Sequence, residues 1–359
     1  MSGPERLDSH GVWEATAALP DRLEEALAAA ERAWADLKAP APSASELDAV
    51  VVLGMGSDAL AGDAVAALAS AYSPVPVVSS GSGSGTGVDL PAFAGPRTMV
   101  VAVSSSGHDS STLEAVRAAL GRGCRVAVVA GEGRLSALAV EWGVPWCPVA
   151  GAGTGAHSSA PRTQLGAATV SVLFALSRVG LIPDCSRSVT SAARALSKHC
   201  DAFAAPGGPA AEVARRIGRT IPVVYGAAGL GAVAARRWKA QVNLNAKAPA
   251  FCSSVPAATR DELAGWGQGG DVTRQVISLV LLRHTGEEPA AGALFDAVVL
   301  AVDEVMADVV EVRAEGYDDL ARFLHLVAWG DFVSLFSAAR EGVDPGPVPA
   351  IEALGAGPV

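Results

Sequence analysis

The stretch from Thr98 to Arg117, TMVVAVSSSGHDSSTLEAVR, sets the architecture of this chain. Met99 to Val103 is a short β-branched apolar run, the composition of a strand buried on both faces of a parallel sheet. Ser104, Ser105, Ser106 and Gly107 follow at once, and Leu113, Val116 and Leu120 then recur at helical spacing. Strand, small-residue turn and helix make the first half of a βαβ unit. Small hydroxyls and a glycine at the carboxyl end of such a strand leave backbone N–H groups and the positive end of the helix dipole facing one point. That arrangement suits an anion such as a phosphate. The same turn also reads as a capped βα connection with no ligand at all.

Working outward, the alternation repeats. Residues 13–38 carry Leu19, Leu23, Leu27 and Ala30 on one helical face, which Pro40 and Pro42 end. Strands are expected at Ala49–Gly54, Pro76–Ser79, Arg125–Ala130 and Val144–Val149, with helices near 60–72 and 135–142. Glycine-rich loops at 81–87 and 151–162 interrupt the pattern, and the second leads into an apolar helix that ends near Val179. After Ile182-Pro183-Asp184 the pattern restarts. Helices are expected over 188–204, 209–217, 233–244 and 320–339, and strands at Thr220–Tyr225 and Gln275–Leu282, with 298–312 as a further apolar segment. The expected organisation is an N-terminal helical region (1–44) followed by two α/β domains (45–184 and 185–359). Each has a doubly wound parallel sheet, and the second is a rough copy of the first. Ligands of such folds sit at the carboxyl ends of the strands.

Bulk properties remove several classes of function. The 359 residues suffice for two buried cores. Mean hydropathy is +0.33, yet no apolar run reaches the roughly 18 residues of a membrane span. The polar start, MSGPERLDSHG, has no apolar signal core, so a soluble cytoplasmic protein is expected. A net charge of −10 with scattered basic residues argues against a nucleic-acid partner. Cys124, Cys147, Cys185, Cys200 and Cys252 form no CxxC pair, so neither a metal, an iron–sulfur cluster nor a disulfide framework is expected. GMGSDALAGD at 54–63 invites a dinucleotide, but that reading needs an acid about 20 residues on. The strand there ends in Ser79-Ser80-Gly81, and GAAGLG at 226–231 fails the same test, so no cofactor is expected.

Three turns taken together point elsewhere: GMGSDALAGD (54–63), SSSGHDSST (104–112) and APRTQLG (160–166). With RRWKAQVNLNAK (236–247) and WGDFVSLFSAAREGVDPGPVPAIEAL (329–354), this ordered set resembles the bifunctional phosphoglucose/phosphomannose isomerase family, built from two sugar isomerase (SIS) domains. The resemblance spans residues from about 45 to 354 and implies a homodimer whose ligand is a six-carbon sugar phosphate. It implies a phosphate held by serine and threonine side chains at the first two turns, and an arginine of the PR motif beside the reacting carbons. A glutamate base moves the proton between C1 and C2, and a histidine assists ring opening. The family pattern reads GMGGSAIGGD, SYSGNTEET, PRxxLG, NENAK and PELNHNE.

Carried across residue by residue, Gly56 matches the first turn, Ser104, Ser106 and Thr112 the second, Arg162 the PR arginine and Lys247 the end of NENAK. Other positions depart. Asp58 replaces the serine of the first turn and Asp109 the threonine of the second. Leu244 replaces the base, Arg260, 16 residues on, replaces the histidine, and Gly355 replaces a lysine near the C-terminus. Leucine cannot take up and return a proton, and losing a positioned base forfeits about 10²–10⁴-fold in rate. Arginine, with a pKa above about 12, cannot act as a histidine does. Carboxylates at 58 and 109 would oppose a phosphate by on the order of 4 kcal/mol at 4 Å in an effective dielectric near 20.

Alternatives remain at single residues. Asp109 and Asp58 read as helix N-caps, the latter for a helix beginning near Ala59. Lys247 reads as a packing remnant or as a cation for a ligand oxygen. His108 and His157 read as solvated loop histidines, or His108 with Asp109 as a replacement acid–base pair beside Ser104 and Ser106. The residues together point to a SIS-fold protein that binds a sugar or sugar-phosphate derivative without ordinary aldose–ketose isomerisation. The alternative is an isomerase with relocated catalytic groups.

Overall fold

Short apolar runs, many of them β-branched, organise the chain into two parallel sheets. The computed structural model describes residues 7–35, 37, 41–81, 87–149 and 160–353. The chain divides into two compact units, a first made of Ala18–Ala193 with Val348–Val359 and a second made of Met1–Ala17 with Arg194–Pro347. These bounds differ from divisions at 44 and 184, chiefly because the N-terminal helical region is shared between the units. The single helix expected over 13–38 is two helices, α1 (Val12–Ala17) in the second unit and α2 (Leu19–Ala35) in the first. Pro20 has no N–H for the carbonyl four residues back, so one helix stops there. Within the first turn of α2 the missing donor costs little.

The first unit continues through β1 (Ala49–Leu53), α3 (Ser57–Ala69), β2 (Val77–Ser80), β3 (Thr98–Ser104), α4 (Ser110–Gly121) and β4 (Arg125–Ala130). It is completed by α5 (Arg134–Trp142), β5 (Trp146–Pro148) and α6 (Leu165–Arg178). Its sheet is parallel throughout, in the order β2-β1-β3-β4-β5, with Val51 beside Val100 and Val100 beside Val126. Every residue of β1 and β3 is buried. Val51, Val100 and Val128 pack on one face with Leu113 and Val116 of α4 and Leu135 of α5. Helix α3 covers the opposite face so closely that a Cβ on Gly62 would lie 3.0 Å from Val52 Cγ1. With helices on both faces and this strand order, the chain reverses direction across the sheet between β1 and β3, where doubly wound folds bind their ligands.

Helix α7 (Ser186–Ala204) leads to α8 (Pro209–Ile217), β6 (Ile221–Ala227), α9 (Leu230–Asn245), β7 (Phe251–Val255), α10 (Glu262–Trp266) and α11 (Gly270–Val276). Then come β8 (Ile277–His284), α12 (Pro289–Val302), β9 (Asp308–Ala314) and α13 (Asp319–Arg340), while α14 (Pro349–Glu352) belongs to the first unit. The second sheet is parallel in the order β7-β6-β8-β9, the same winding as β2-β1-β3-β4. The repeated half is therefore real at the level of topology. The apolar segment 298–312 resolves into the end of α12 and the strand β9. Strand β7 has no apolar run to announce it: it is an edge strand, FCSSV, with Phe251 exposed.

Helices α9 and α13 of the second unit are joined by polar contacts with almost no access to water. Arg237 donates through Nε and Nη2 to the two carboxylate oxygens of Asp331, both at 2.8 Å. Trp238 Nε1 donates to the Leu326 carbonyl at 2.8 Å, and Asn245 Nδ2 donates to Ser334 Oγ at 2.9 Å. Gly330 is obligatory here, since a Cβ would lie 2.4 Å from the Trp238 ring. A buried ion pair adds little net stability, but stripping one member strands a charge in a dry interior. Asp331→Ala is expected to cost about 3–5 kcal/mol, read as a lower urea midpoint for the second unit. A loss under about 1 kcal/mol would contradict that account.

Candidate functional site

Helix α3 opens at Gly56, whose φ of +54° favours glycine and which offers no side-chain cap to the first N–H groups. The sequence leaves Asp58, the second residue of this helix, as either its cap or a carboxylate opposing a ligand phosphate. Instead its carboxylate crosses to the turn between β3 and α4. There Oδ2 accepts the backbone N–H of Ser105 at 2.8 Å, and Oδ1 accepts the Ser105 hydroxyl. Ser105 is fully buried. The physical reason is geometric: a side chain in the first turn of a helix beside a parallel sheet can reach the neighbouring strand's turn, and two donors there outbid one at its own helix end. Burial pushes the Asp58 carboxyl up to about 6, the two bonds from Ser105 pull it back, and the charge of Asp109 raises it further.

The β3–α4 turn is held rigidly. Gly107 donates to the Ser104 carbonyl at 2.9 Å and accepts from Leu135 N–H at 2.9 Å. Its φ is +69°, and a Cβ would lie 2.5 Å from the Gly131 carbonyl oxygen, so only glycine fits. Asp109 is the N-cap of α4, with its carboxylate accepting Thr112 N–H at 2.6 Å. Ser106 Oγ accepts the backbone N–H of exposed His108 at 3.2 Å. Ser104 at the end of β3 and Thr112 in the first turn of α4 are 1% and 0% exposed. Neither hydroxyl has a hydrogen-bond partner among the described residues, an uncommon state for buried polar groups.

Arg162 lies in a 3₁₀ turn, Pro161–Gln164, ahead of α6 and is buried. The Ser57 hydroxyl donates to its carbonyl at 3.4 Å, and Arg22 Nη1 donates to the neighbouring Thr163 Oγ1 at 3.0 Å. The first unit thus contains Gly56, Asp58, Ser104, Ser106, Asp109, Thr112 and Arg162, on three turns linked by Asp58–Ser105 and Ser57–Arg162.

Leu244, Lys247 and Arg260 belong to the second unit. Leu244 is half-buried in the last turn of α9. The Lys247 ammonium, considered above for a ligand oxygen, donates to the Leu244 carbonyl and to the Pro345 carbonyl at 3.2 Å. It serves the end of the helix, where unpaired carbonyls concentrate negative charge. Arg260 is exposed, just after a 3₁₀ turn at Ala257–Thr259. Two residues on, Glu262 accepts the Tyr225 hydroxyl at 2.8 Å, and Trp266 Nε1 donates to the same hydroxyl at 3.1 Å.

Sequence reasoning passed over Ser105 and the Tyr225–Glu262 contact. The available signals were a hydroxyl directly after a wholly buried strand and a lone phenol within an apolar one. His157, Gly355 and most of the loop at 81–87 lie outside the described residues. Among the described residues no cluster of three metal-ligating side chains occurs, and no helix is long and apolar enough to cross a membrane. Burial pushes the thiols of Cys147 and Cys200 up to about 12 and that of Cys185 up to about 11, so they stay protonated and unreactive.

Comparison with known proteins adds an independent finding. Residues 207–356 match the bacterial phospho-glucose isomerase C-terminal SIS domain. The chain is 30% identical over 266 residues to a bifunctional phosphoglucose/phosphomannose isomerase of Aquifex aeolicus, covering 74% of this chain and 77% of that one. To the protein of the same name from Caldicellulosiruptor bescii it is 24% identical over 347 residues, covering 96% and 97%. Among solved structures, the C-terminal domain of glucosamine-fructose-6-phosphate aminotransferase from Francisella tularensis superposes with a TM-score of 0.63. Its sequence identity is 14%, over 93% of this chain and 97% of that one, a likeness of fold.

The raised pKa of Asp58 has a consequence for stability. Its folded value, about 6, exceeds the ordinary value of 3.8, so the native state holds this proton more tightly than the unfolded chain. The group's contribution is complete below about pH 4 and is lost as pH rises through 6. Asp58→Asn is expected to lack this loss, so urea unfolding from pH 4 to 6.5 should move steadily in favour of the variant. A difference constant with pH would show an ordinary carboxyl.

Proposed function

The chain belongs to the bifunctional phosphoglucose/phosphomannose isomerase family of SIS-domain proteins, and we propose that it binds a sugar or sugar-phosphate derivative without interconverting aldose and ketose phosphates. The observation that carries this reading is Leu244. At the position where the family pattern has its proton-moving glutamate stands a half-buried hydrocarbon, and the ammonium nearest to it in sequence is occupied by backbone carbonyls. Moving a proton between adjacent sugar carbons needs a group that accepts and returns it, which leucine cannot do. Arg260 stands at the position of the ring-opening histidine, and a guanidinium does not exchange protons as an imidazole does.

Binding is supported by what persists. The doubly wound first unit keeps its βα turns together at the carboxyl ends of β1 and β3, with Arg162 buried and serine and threonine hydroxyls unspent. A rigid scaffold with polar groups gathered at the strand ends suits a polyhydroxylated ligand. The role is then regulatory, or auxiliary to an enzyme that handles sugar phosphates.

The test is direct. Purified protein incubated with fructose 6-phosphate and followed by NMR is expected to form no glucose or mannose 6-phosphate. A sugar ligand at about 100 times its Kd is expected to stabilise the fold by about 2.7 kcal/mol, seen as a raised Tm. Turnover at enzyme-like rates would overturn the reading in favour of an isomerase with relocated groups, for which Asp58, His108 and Asp109 would then be required. A fold that no sugar or sugar phosphate stabilises would overturn it in the other direction.

A further inference from the structure

The turn between β3 and α4 has its donors in place, and a carboxylate of the same protein already lies on them. We infer that Asp58 decides which ligand group this turn accepts: ionised, it is an internal anion that keeps phosphate or sulfate off Ser105 and leaves the turn to an uncharged part of a sugar. An oxyanion enters only when Asp58 carries a proton. The sugar half of this statement rests on the proposed sugar-binding role, whereas exclusion of the oxyanion is a property of the turn itself.

Three observations converge on it. Ser105 spends both its backbone and its hydroxyl proton on one carboxylate, so neither remains for a second anion. In the same turn the buried hydroxyls of Ser104 and Thr112 have no partner among the described residues, although each could donate to a tetrahedral oxyanion. Asp109, fixed on Thr112 N–H, adds a second negative charge that opposes a further anion and favours protonation of Asp58.

Burial, the Ser105 bonds and the charge of Asp109 act on Asp58, and the ionisable groups on the surrounding elements are few. Strands β1, β2 and β3, packed beside α3, carry no ionisable side chain. The β3–α4 turn contributes His108 and Asp109, the turn at 161–164 contributes buried Arg162, α6 contributes Arg178 at its far end, and α3 itself contributes Asp63. Deprotonated Asp58 therefore sits among apolar strands with a like charge close by, a setting in which taking up a proton relieves both burial and repulsion.

Sulfate is the decisive probe because its charge does not change between pH 5 and pH 8. Calorimetric titration of sulfate into the wild-type protein is expected to show binding at pH 5 that weakens at pH 8. If only the protonated form binds, with a midpoint of about 6, the apparent Kd rises about 90-fold. Asp58→Ser is expected to bind sulfate equally at both pH values, within about twofold, and Asp58→Asn serves as a second variant should the serine form fail to fold. Wild-type affinity independent of pH overturns the inference, and so does a folded variant that binds no sulfate or keeps the wild-type pH dependence. Titration of glucose and mannose at pH 8 reports on the sugar-binding role separately, so loss of either conclusion leaves the other standing.

Discussion

A carboxylate bonded to a buried serine is the contact from which the geometry of the first unit's site follows. Asp58 extends from the first turn of α3 and accepts hydrogen bonds from both the N–H and the hydroxyl of Ser105, just past the end of β3. It thereby fixes two βα turns at the place where the doubly wound sheet reverses direction. Ser57, one residue earlier, bonds to the carbonyl of Arg162 and brings in the third turn. Because Ser105 is wholly buried, leaving its N–H unpaired would cost more than the hydrogen bond itself returns. The candidate site is held together by this one carboxylate.

The second unit is governed by a comparable constraint with another outcome. Arg237 and Asp331 are paired in a dry helix–helix contact flanked by Trp238, Asn245 and Ser334. This arrangement anchors α9, at whose end Leu244 and Lys247 lie. The asparagines of Asn243-Leu244-Asn245-Ala246-Lys247 retain structural work: Asn243 donates to the Ala248 carbonyl and Asn245 to Ser334. Lys247 closes the helix. The polar residues of this segment are thus held by the packing of the fold, and leucine at 244 carries no group that exchanges a proton.

The fold was legible from local pattern. Val100 to Val103 reads as a buried strand whatever surrounds it, and Gly107 marks the tight turn that its approach to Gly131 demands. Where patterns were weak the reading slipped. β7 is a short edge strand half-open to solvent, and edge strands lack the continuous apolar run that identifies central ones. The helix over 13–38 broke at Pro20 because a missing donor outweighs amphipathic spacing. The bonds made by the candidate site residues were legible only in part. Asp109 caps α4, as short-range chemistry suggests, whereas Asp58 leaves its own helix for Ser105.

The sequence by itself determined the two repeated α/β halves, the resemblance to a sugar-phosphate isomerase family, and the hydrocarbon and the arginine at positions 244 and 260. All of these are properties of residue order, periodicity and side-chain chemistry. Only the tertiary structure decided that the aspartate at 58 rests on the serine at 105, and that the lysine at 247 is committed to backbone carbonyls. Those partners lie 47 and 98 residues away in the longest cases. Which long-range partner a charged side chain finds depends on the donors left unpaired where the chain folds back, and no local pattern encodes that.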